Sequence, residues 1–165
     1  MKKYELTAEF IEKRGKKLFR IKALISFGSV EVGELGGYVE KEDNLAQTGD
    51  AWVSGNARVY GDAWVSGDAW VSGDARVYGN ADYLLIGRIG SRFGFTTFFK
   101  NKEKGITVSC GCFLGTIAEF RAKVTDTHGD NKHAKMYNMA ADMAELQILG
   151  EEHFDKLNTN KSEPF

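Results

Sequence analysis

Apolar and polar positions recur every six residues from Gly49, in GDAWVS, GNARVY, GDAWVS, GDAWVS, GDARVY and GNADYL. Within each unit Ala and Val alternate with longer or polar residues, the period of a short strand. Gly followed by Asp or Asn breaks each strand with turn chemistry. A second period is longer. Shifted by eighteen residues, 49–63 falls on 67–81 and differs only where Asn56 meets Asp74 and Asp62 meets Asn80. Three hexapeptides therefore make one turn, and the turn recurs. This predicts a short triangular parallel β-solenoid over 39–83, its turns stacked at roughly 4.8 Å. Ala51, Ala57, Ala63, Ala69 and Ala75 alternate inward with Val53, Val59, Val65, Val71 and Val77. The outward residues stack at the eighteen-residue step: Trp52 over Trp70, Arg58 over Arg76, Tyr60 over Tyr78, and Trp64 over Asp82. Exposed indoles on one face suit an oligomer or partner interface, or else cover by the terminal segments.

The Gly-(Asp/Asn)-Ala-x-Val units resemble the hexapeptide-repeat, left-handed β-helix family. That resemblance implies the left hand; the general rule for parallel crossovers gives the right.

The flanks carry other periods. Residues 3–26 alternate as a β-hairpin, with Tyr4, Leu6, Ala8 and Phe10 opposite in parity to Lys3, Glu5, Thr7 and Glu9. In the second strand Phe19, Ile21, Ala23 and Ile25 oppose Leu18, Arg20, Lys22 and Leu24. The basic turn Lys13-Arg14-Gly15-Lys16-Lys17 is a solvated hairpin tip or a phosphate contact. The hairpin and a lead-in segment occupy 1–38. Val39 and Leu45 keep step with the alanine positions, which predicts an imperfect first turn. Glu40, Glu42 and Asp43 give that turn a charged end. Residues 84–150 predict an α/β cap with strands at Leu84–Arg88, Phe95–Lys100 and Ile106–Cys110. A helix over 116–126 opens on the capping box Thr116-Ile117-Ala118-Glu119, with Ile117, Phe120 and Val124 as its apolar stripe. A second over roughly 132–150 buries Tyr137, Ala141, Ala144 and Ile148, while Met136, Met139 and Met143 fill gaps beside them. Residues 151–165 read as a polar, fraying tail. The fold class is mainly β with α.

Charge adds little: 22 basic residues face 23 acidic ones, so neither nucleic acid nor membrane is globally attracted. The start MKKYELTAEF has no apolar run, and no stretch approaches a membrane span. With two cysteines, this predicts a cytoplasmic protein with reduced thiols. Cys110-Gly111-Cys112 with His128 and His133 is chemically a zinc quartet, but the one-residue Cys gap departs from common zinc spacing. Buried reduced thiols are the competing reading, and we expect no metal and no cofactor. Hexapeptide-type acyltransferases and carbonic anhydrases need histidine on the prism. The repeat has none; His128, His133 and His153 all lie downstream. An enzyme is therefore not expected.

The richest chemistry lies in the cap. Gly87-Arg88-Ile89-Gly90-Ser91-Arg92-Phe93-Gly94, followed by Thr96-Thr97, offers backbone amides, guanidinium forks and hydroxyls to an anion. Phe93, Phe95, Phe98, Phe99 and Tyr137 offer stacking. His128 and Lys132 would add donors if the inter-helix turn folds onto this loop. The alternative is a glycine-rich connection with solvated arginines.

The runs IGRIGSRFGFTTFF, ITVSCGCFLGTIAEF and THGDNKHAKMY, with ELGGYVEKEDNLAQTGDAWV before the repeat, resemble a family encoded by bacteriophages and prophages. The likeness spans roughly residues 3–148. It implies a phage origin and action in the bacterial host cytoplasm, and it carries over no catalytic residue. The combined expectation is a non-catalytic counter-defence protein that sequesters a small phosphorylated, nucleotide-like ligand. Its site would comprise Arg88, Ser91, Arg92, Thr96, Thr97, Phe98, His128 and Lys132. The oligomer interface would comprise Trp52, Trp64, Trp70, Arg58, Arg76, Tyr60 and Tyr78. The alternative is a module that binds a host protein through the Trp/Arg solenoid faces.

Overall fold

The computed structural model describes the backbone of residues 1–162 and side chains through residue 157; the end of the expected tail, 163–165, lies outside the described residues. The strands are β1 (Tyr4–Lys13), β2 (Lys16–Ala23), β3 (Leu35–Val39), β4 (Trp52–Val53), β5 (Arg58–Val59), β6 (Trp70–Val71), β7 (Arg76–Val77), β8 (Tyr83–Ile89), β9 (Gly94–Lys100), β10 (Ile106–Cys110) and β11 (Phe113–Thr116). The helices are α1 (Ile117–His128), α2 (Lys132–Ala144), which runs into a π-helical turn at Glu145–Leu149, and α3 (Glu151–Ser162).

The repeat winds because each hexapeptide turns at its glycine. Gly49, Gly55, Gly61, Gly67 and Gly73 have φ of +72°, +63°, +67°, +67° and +65°, a region costly for L side chains. Between these corners the chain pairs in parallel with the next turn. Trp52 and Val53 pair with Trp70 and Val71, Arg58 and Val59 with Arg76 and Val77, and Leu45 bridges Val65. One buried cluster runs through these paired turns, and it contains every Ala and Val predicted to face inward. The first turn departs from expectation. Val39 pairs with Val59 and Leu45 with Val65, so both continue the valine row, at a twenty-residue step, and not the alanine row. Asn44 holds this longer turn: its fully buried amide donates to Ala63 O (2.9 Å) and Gly61 O (3.2 Å) and accepts from Lys41 N (3.0 Å).

The N-terminal hairpin is part of the solenoid wall. β2 pairs antiparallel with β3, giving a sheet ordered β1-β2-β3-β5-β7. Its tip turns through positive φ at Arg14 (+52°) and Gly15 (+79°). The predicted parity fails in two places. Register shifts fall between Leu6 and Phe10 and between Arg20 and Lys22, so Leu18 is buried against Tyr38 and Tyr60 while Phe10 stays exposed. Lys3 is buried, not solvent-facing. Its Nζ donates to Ala51 O (2.7 Å) and lies 4.7 Å from the centre of the Phe27 ring.

At the other end the antiparallel sheet β11-β10-β9-β8 separates two cores. Strand alternation sends Phe99 and Leu85 into the solenoid cluster and Phe98 and Val108 under the helices. The sheet is bonded to the last turn: Lys102 N donates to Asp74 O (3.1 Å) and Trp70 N to Thr97 Oγ1 (3.1 Å). Trp64 does not stack on Asp82. The chain at 80–82 is a 3-10 turn, Asn80 Oδ1 accepts from Trp64 N (2.8 Å), and the Tyr83 hydroxyl donates to Trp64 O (2.6 Å).

Thr116 caps α1, its Oγ1 accepting from Glu119 N (3.2 Å). Asn131 caps α2 in the same way at Ala134 N (3.1 Å). In the predicted stripes Phe120, Val124, Ala141, Ala144 and Ile148 are buried, whereas Ile117 and Tyr137 are half-buried. Arg121 locks the two helices by donating to Asp142 Oδ1 (2.7 Å) and Glu145 Oε1 (3.0 Å). Met136, Met139 and Met143 are exposed on α2 and fill no gap in the core. The expected fraying from Glu151 is replaced by α3 through Ser162. Among the described residues, no helix is long and apolar enough to cross a membrane.

Candidate functional site

The predicted stacking ladder divides by burial. Trp52 is fully buried; Tyr4 and Phe27 cover it edge-on, at centroid distances of 6.4 and 5.4 Å. The N-terminal segments thus occupy the face that the repeat leaves open, and Trp52 is no interface residue of the folded chain. Tyr60 is also buried; its ring centre lies 4.2 Å from that of Tyr78. Trp70 is half-buried under β9. Of the aromatic residues in the predicted interface, Trp64 (54% exposed) and Tyr78 (38%) remain open. Arg58 and Arg76 are half-buried in register on β5 and β7.

The glycine-rich loop separates its residues by strand parity. Thr96 and Thr97 sit on opposite faces of β9, and both are buried. Thr96 Oγ1 donates to Cys110 Sγ at 3.2 Å, whereas Thr97 serves the junction with the solenoid. Phe98 is fully buried against Phe120 and touches no opening. Arg88 is exposed, with its guanidinium 5.5 Å from the Phe95 ring centre, and Lys132 is exposed at the start of α2; neither lines the hollow described next. The expected eight-residue site therefore does not assemble as a unit.

Part of it does. Ser91 and Arg92 from the β8–β9 turn, His128 from the end of α1 and Tyr137 from α2 line one hollow of about 430 Å³. Lys123 and Thr127, one turn apart on α1, complete its rim with Cys110 and Cys112. An adjoining recess of about 110 Å³, which shares Lys123, Thr127, His128 and Tyr137 with this hollow, is lined by Phe113, Phe120 and Val124. The inter-helix turn thus folds onto the glycine-rich loop, the condition on which His128 was expected to contribute. Gly90 makes the approach physical. It is buried with φ +83°, and a β-carbon there would overlap the Tyr137 hydroxyl. The Tyr137 ring stacks on His128 at 5.8 Å and meets Phe120 edge-on at 5.7 Å. Burial, and next the neighbouring Cys110, raise the Tyr137 phenol above its ordinary value, so it stays a neutral donor at physiological pH.

Chemically the hollow combines a cationic and hydroxyl rim with an aromatic floor. Guanidinium and ammonium groups bind oxyanions, and the stacked His128–Tyr137 pair offers a planar surface. Sequence reasoning missed Lys123 and Thr127. Their signal was spacing: they lie three residues beyond Phe120 and Val124, so they flank the buried stripe on α1.

The cysteines do not share a strand face. The turn at Gly111 (φ +58°) separates them, leaving Cys110 half-buried and Cys112 exposed. Both thiols are free. The His128 and His133 rings are 5.5 Å apart, yet among the described residues no group of three or more His, Cys, Asp and Glu side chains is placed to hold a metal.

A family model described as the YdcK beta solenoid repeat matches residues 51–67, so this stretch is similar to that repeat. No curated protein sequence matches the chain.

Proposed function

We propose that this chain is a non-catalytic binding protein that captures a small phosphorylated, nucleotide-like ligand in the hollow between the β8–β9 turn and the helices α1 and α2. One observation carries the reading. Arg92, Lys123 and His128, from a loop and two positions on α1, converge on one hollow beside the ring of Tyr137. Phosphates would meet the cations and Ser91, and a base would stack on the His128–Tyr137 side. In this reading the solenoid is a left-handed, three-sided scaffold for a homo-oligomer. The phage-family likeness supplies the setting: counter-defence by sequestration in the host cytoplasm. The rival reading, capture of a host protein on the Trp/Arg faces, draws on fewer residues now that Trp52 is covered.

Isothermal titration of purified protein with a panel of cyclic nucleotides and ADP-ribose derivatives tests the proposal. Binding is expected for at least one compound, with loss in Arg92→Ala and in Lys123→Ala and retention in Trp64→Ala. A panel without heat, or binding untouched by Arg92→Ala and Lys123→Ala together, counts against it.

A further inference from the structure

A separate cleft of about 470 Å³ opens on the solenoid wall where β5 and β7 lie beneath the Asn101–Gly105 turn. Its chemistry differs from that of the helix-side hollow. Arg58 and Arg76 are in-register partners on adjacent strands, one strand spacing apart, roughly 4.8 Å. Lys102 reaches the same cleft from the turn above. Against these three cations the walls carry one carboxylate, Asp74, and it forms no ion pair with either arginine among the described residues.

The two guanidiniums are held differently. Arg76 Nη1 donates to Ala75 O (2.9 Å) and Asp74 O (3.1 Å), which fixes that side chain and leaves its other nitrogens without a protein acceptor among the described residues. Arg58 donates no hydrogen bond and joins no ion pair among those residues. Two like charges held in register with open donors disfavour the folded state unless a counter-charge sits between them. Burial and then Arg58 also weaken the hold of Arg76 on its proton, opposed in part by Tyr78, Asp74 and Tyr60.

We infer that the Arg58–Arg76 ladder, with Lys102 above it, is a binding site for a tetrahedral oxyanion of the phosphate class. A planar carboxylate fills one guanidinium fork, whereas a phosphate presents oxygens to two forks and an ammonium at once. Asn56, on the cleft wall beside Arg58, supplies an amide donor to the same ligand. This site goes beyond the helix-side hollow and does not depend on it.

The test is a titration of inorganic phosphate against chloride at constant ionic strength. It is read by NMR of the arginine Nε–Hε groups and by thermal unfolding. Two arginine signals should shift saturably and be assigned by their loss in Arg58→Gln and Arg76→Gln. Each variant should bind phosphate about tenfold more weakly or worse, the scale of one charged hydrogen-bonding partner. Phosphate should raise the wild-type unfolding temperature above that in chloride, and the double variant should lose the gain. Without phosphate at low salt, the single variants should unfold no earlier than wild type, because the repulsion is relieved. Arg92→Ala should keep the two shifting signals. The inference is overturned if the shifts stay linear in phosphate, if the thermal gain survives in the double variant, or if Arg92→Ala abolishes the response.

Discussion

Replacing Trp52 separates a core residue from an interface residue. The indole is fully buried, and a tryptophan of that kind removes up to about 250 Å² from water. At about 25 cal/mol per Å² this is an upper bound near 6 kcal/mol, and measured truncations of large aromatics to alanine cost about 3–5 kcal/mol. Collapse cannot refill the space easily, because Tyr4 and Phe27 meet the ring by their edges and belong to other elements. Trp52→Ala should therefore cost about 3–5 kcal/mol. Trp52→Phe is more informative. The indole Nε1 is buried without a hydrogen-bond partner, a burden of about 1–3 kcal/mol that phenylalanine would remove. The smaller ring loses about 1–2 kcal/mol of burial, so the net change should be close to zero. Urea unfolding followed by far-ultraviolet circular dichroism measures both variants, with Trp64→Ala as an exposed control expected within about 0.5 kcal/mol of wild type. Two results would refute the reasoning. Trp52→Phe as damaging as Trp52→Ala would mean that the N–H is bonded. An unchanged urea midpoint with a smaller native mass would mean that Trp52 faces another subunit.

Asn44→Ala should destabilise by about 2–4 kcal/mol, because the carbonyls of Gly61 and Ala63 and the amide of Lys41 lose their buried partner together; the same urea assay measures it, and a loss below about 0.5 kcal/mol would contradict the bonding. Gly90→Ala should push the Tyr137 ring aside, since the new methyl overlaps its hydroxyl, and should perturb the His128 and Tyr137 signals by NMR more than those of the solenoid. Stability should also depend on pH with a definite sign. Burial lowers the Lys3 ammonium to about 8 from 10.5, opposed in part by Asp50, so between those values the unfolded chain holds more protons and stability rises with pH. Burial, then Glu42 and Asp43, push the Tyr4 phenol up; above about pH 10 the unfolded phenol ionises first and stability falls. Urea midpoints should rise from pH 7 to 9 in wild type and not in Lys3→Met, and in Lys3→Met, where the ammonium's gain no longer masks the phenol, they should fall from pH 9 to 11.

The solenoid interior was legible because its period is written in residues that only one geometry satisfies. Five glycines at positive φ and ten inward Ala and Val positions leave little choice. The helices were legible through the Thr116 capping box and through their apolar stripes. What failed was parity where it is not continuous. Bulges in β1 and β2 reverse the facing of Leu18 and Phe10, and a bulge leaves no mark in a run of mixed residues. The twenty-residue first turn was missed because Val39 and Leu45 fit a six-residue step by arithmetic. The pairing that decides their row depends on Asn44, a polar residue that sequence patterns place at a surface. In the cap, Thr96, Thr97 and Phe98 fit an anion loop by composition, but consecutive strand residues cannot all face one ligand.

A repeat fixes which side chains point outward, not which outward faces meet water. Trp52 and Trp70 occupy equivalent positions, yet β1 and the lead-in segment close over the first, and β9 leaves the second half-exposed. The difference comes from chain that shares no period with the repeat. The same reasoning applies to the arginines. Arg58 and Arg76 are also equivalent, but here the neighbouring elements supply another cation, Lys102, without closing the cleft. The N-terminal hairpin does bring Ile11 to the edge of this cleft, but it leaves the ladder half-buried, in contrast to the full cover over Trp52. Adding a lysine above two unpaired guanidiniums keeps the wall open and raises its positive charge, which favours an anion there over a packed interface between subunits.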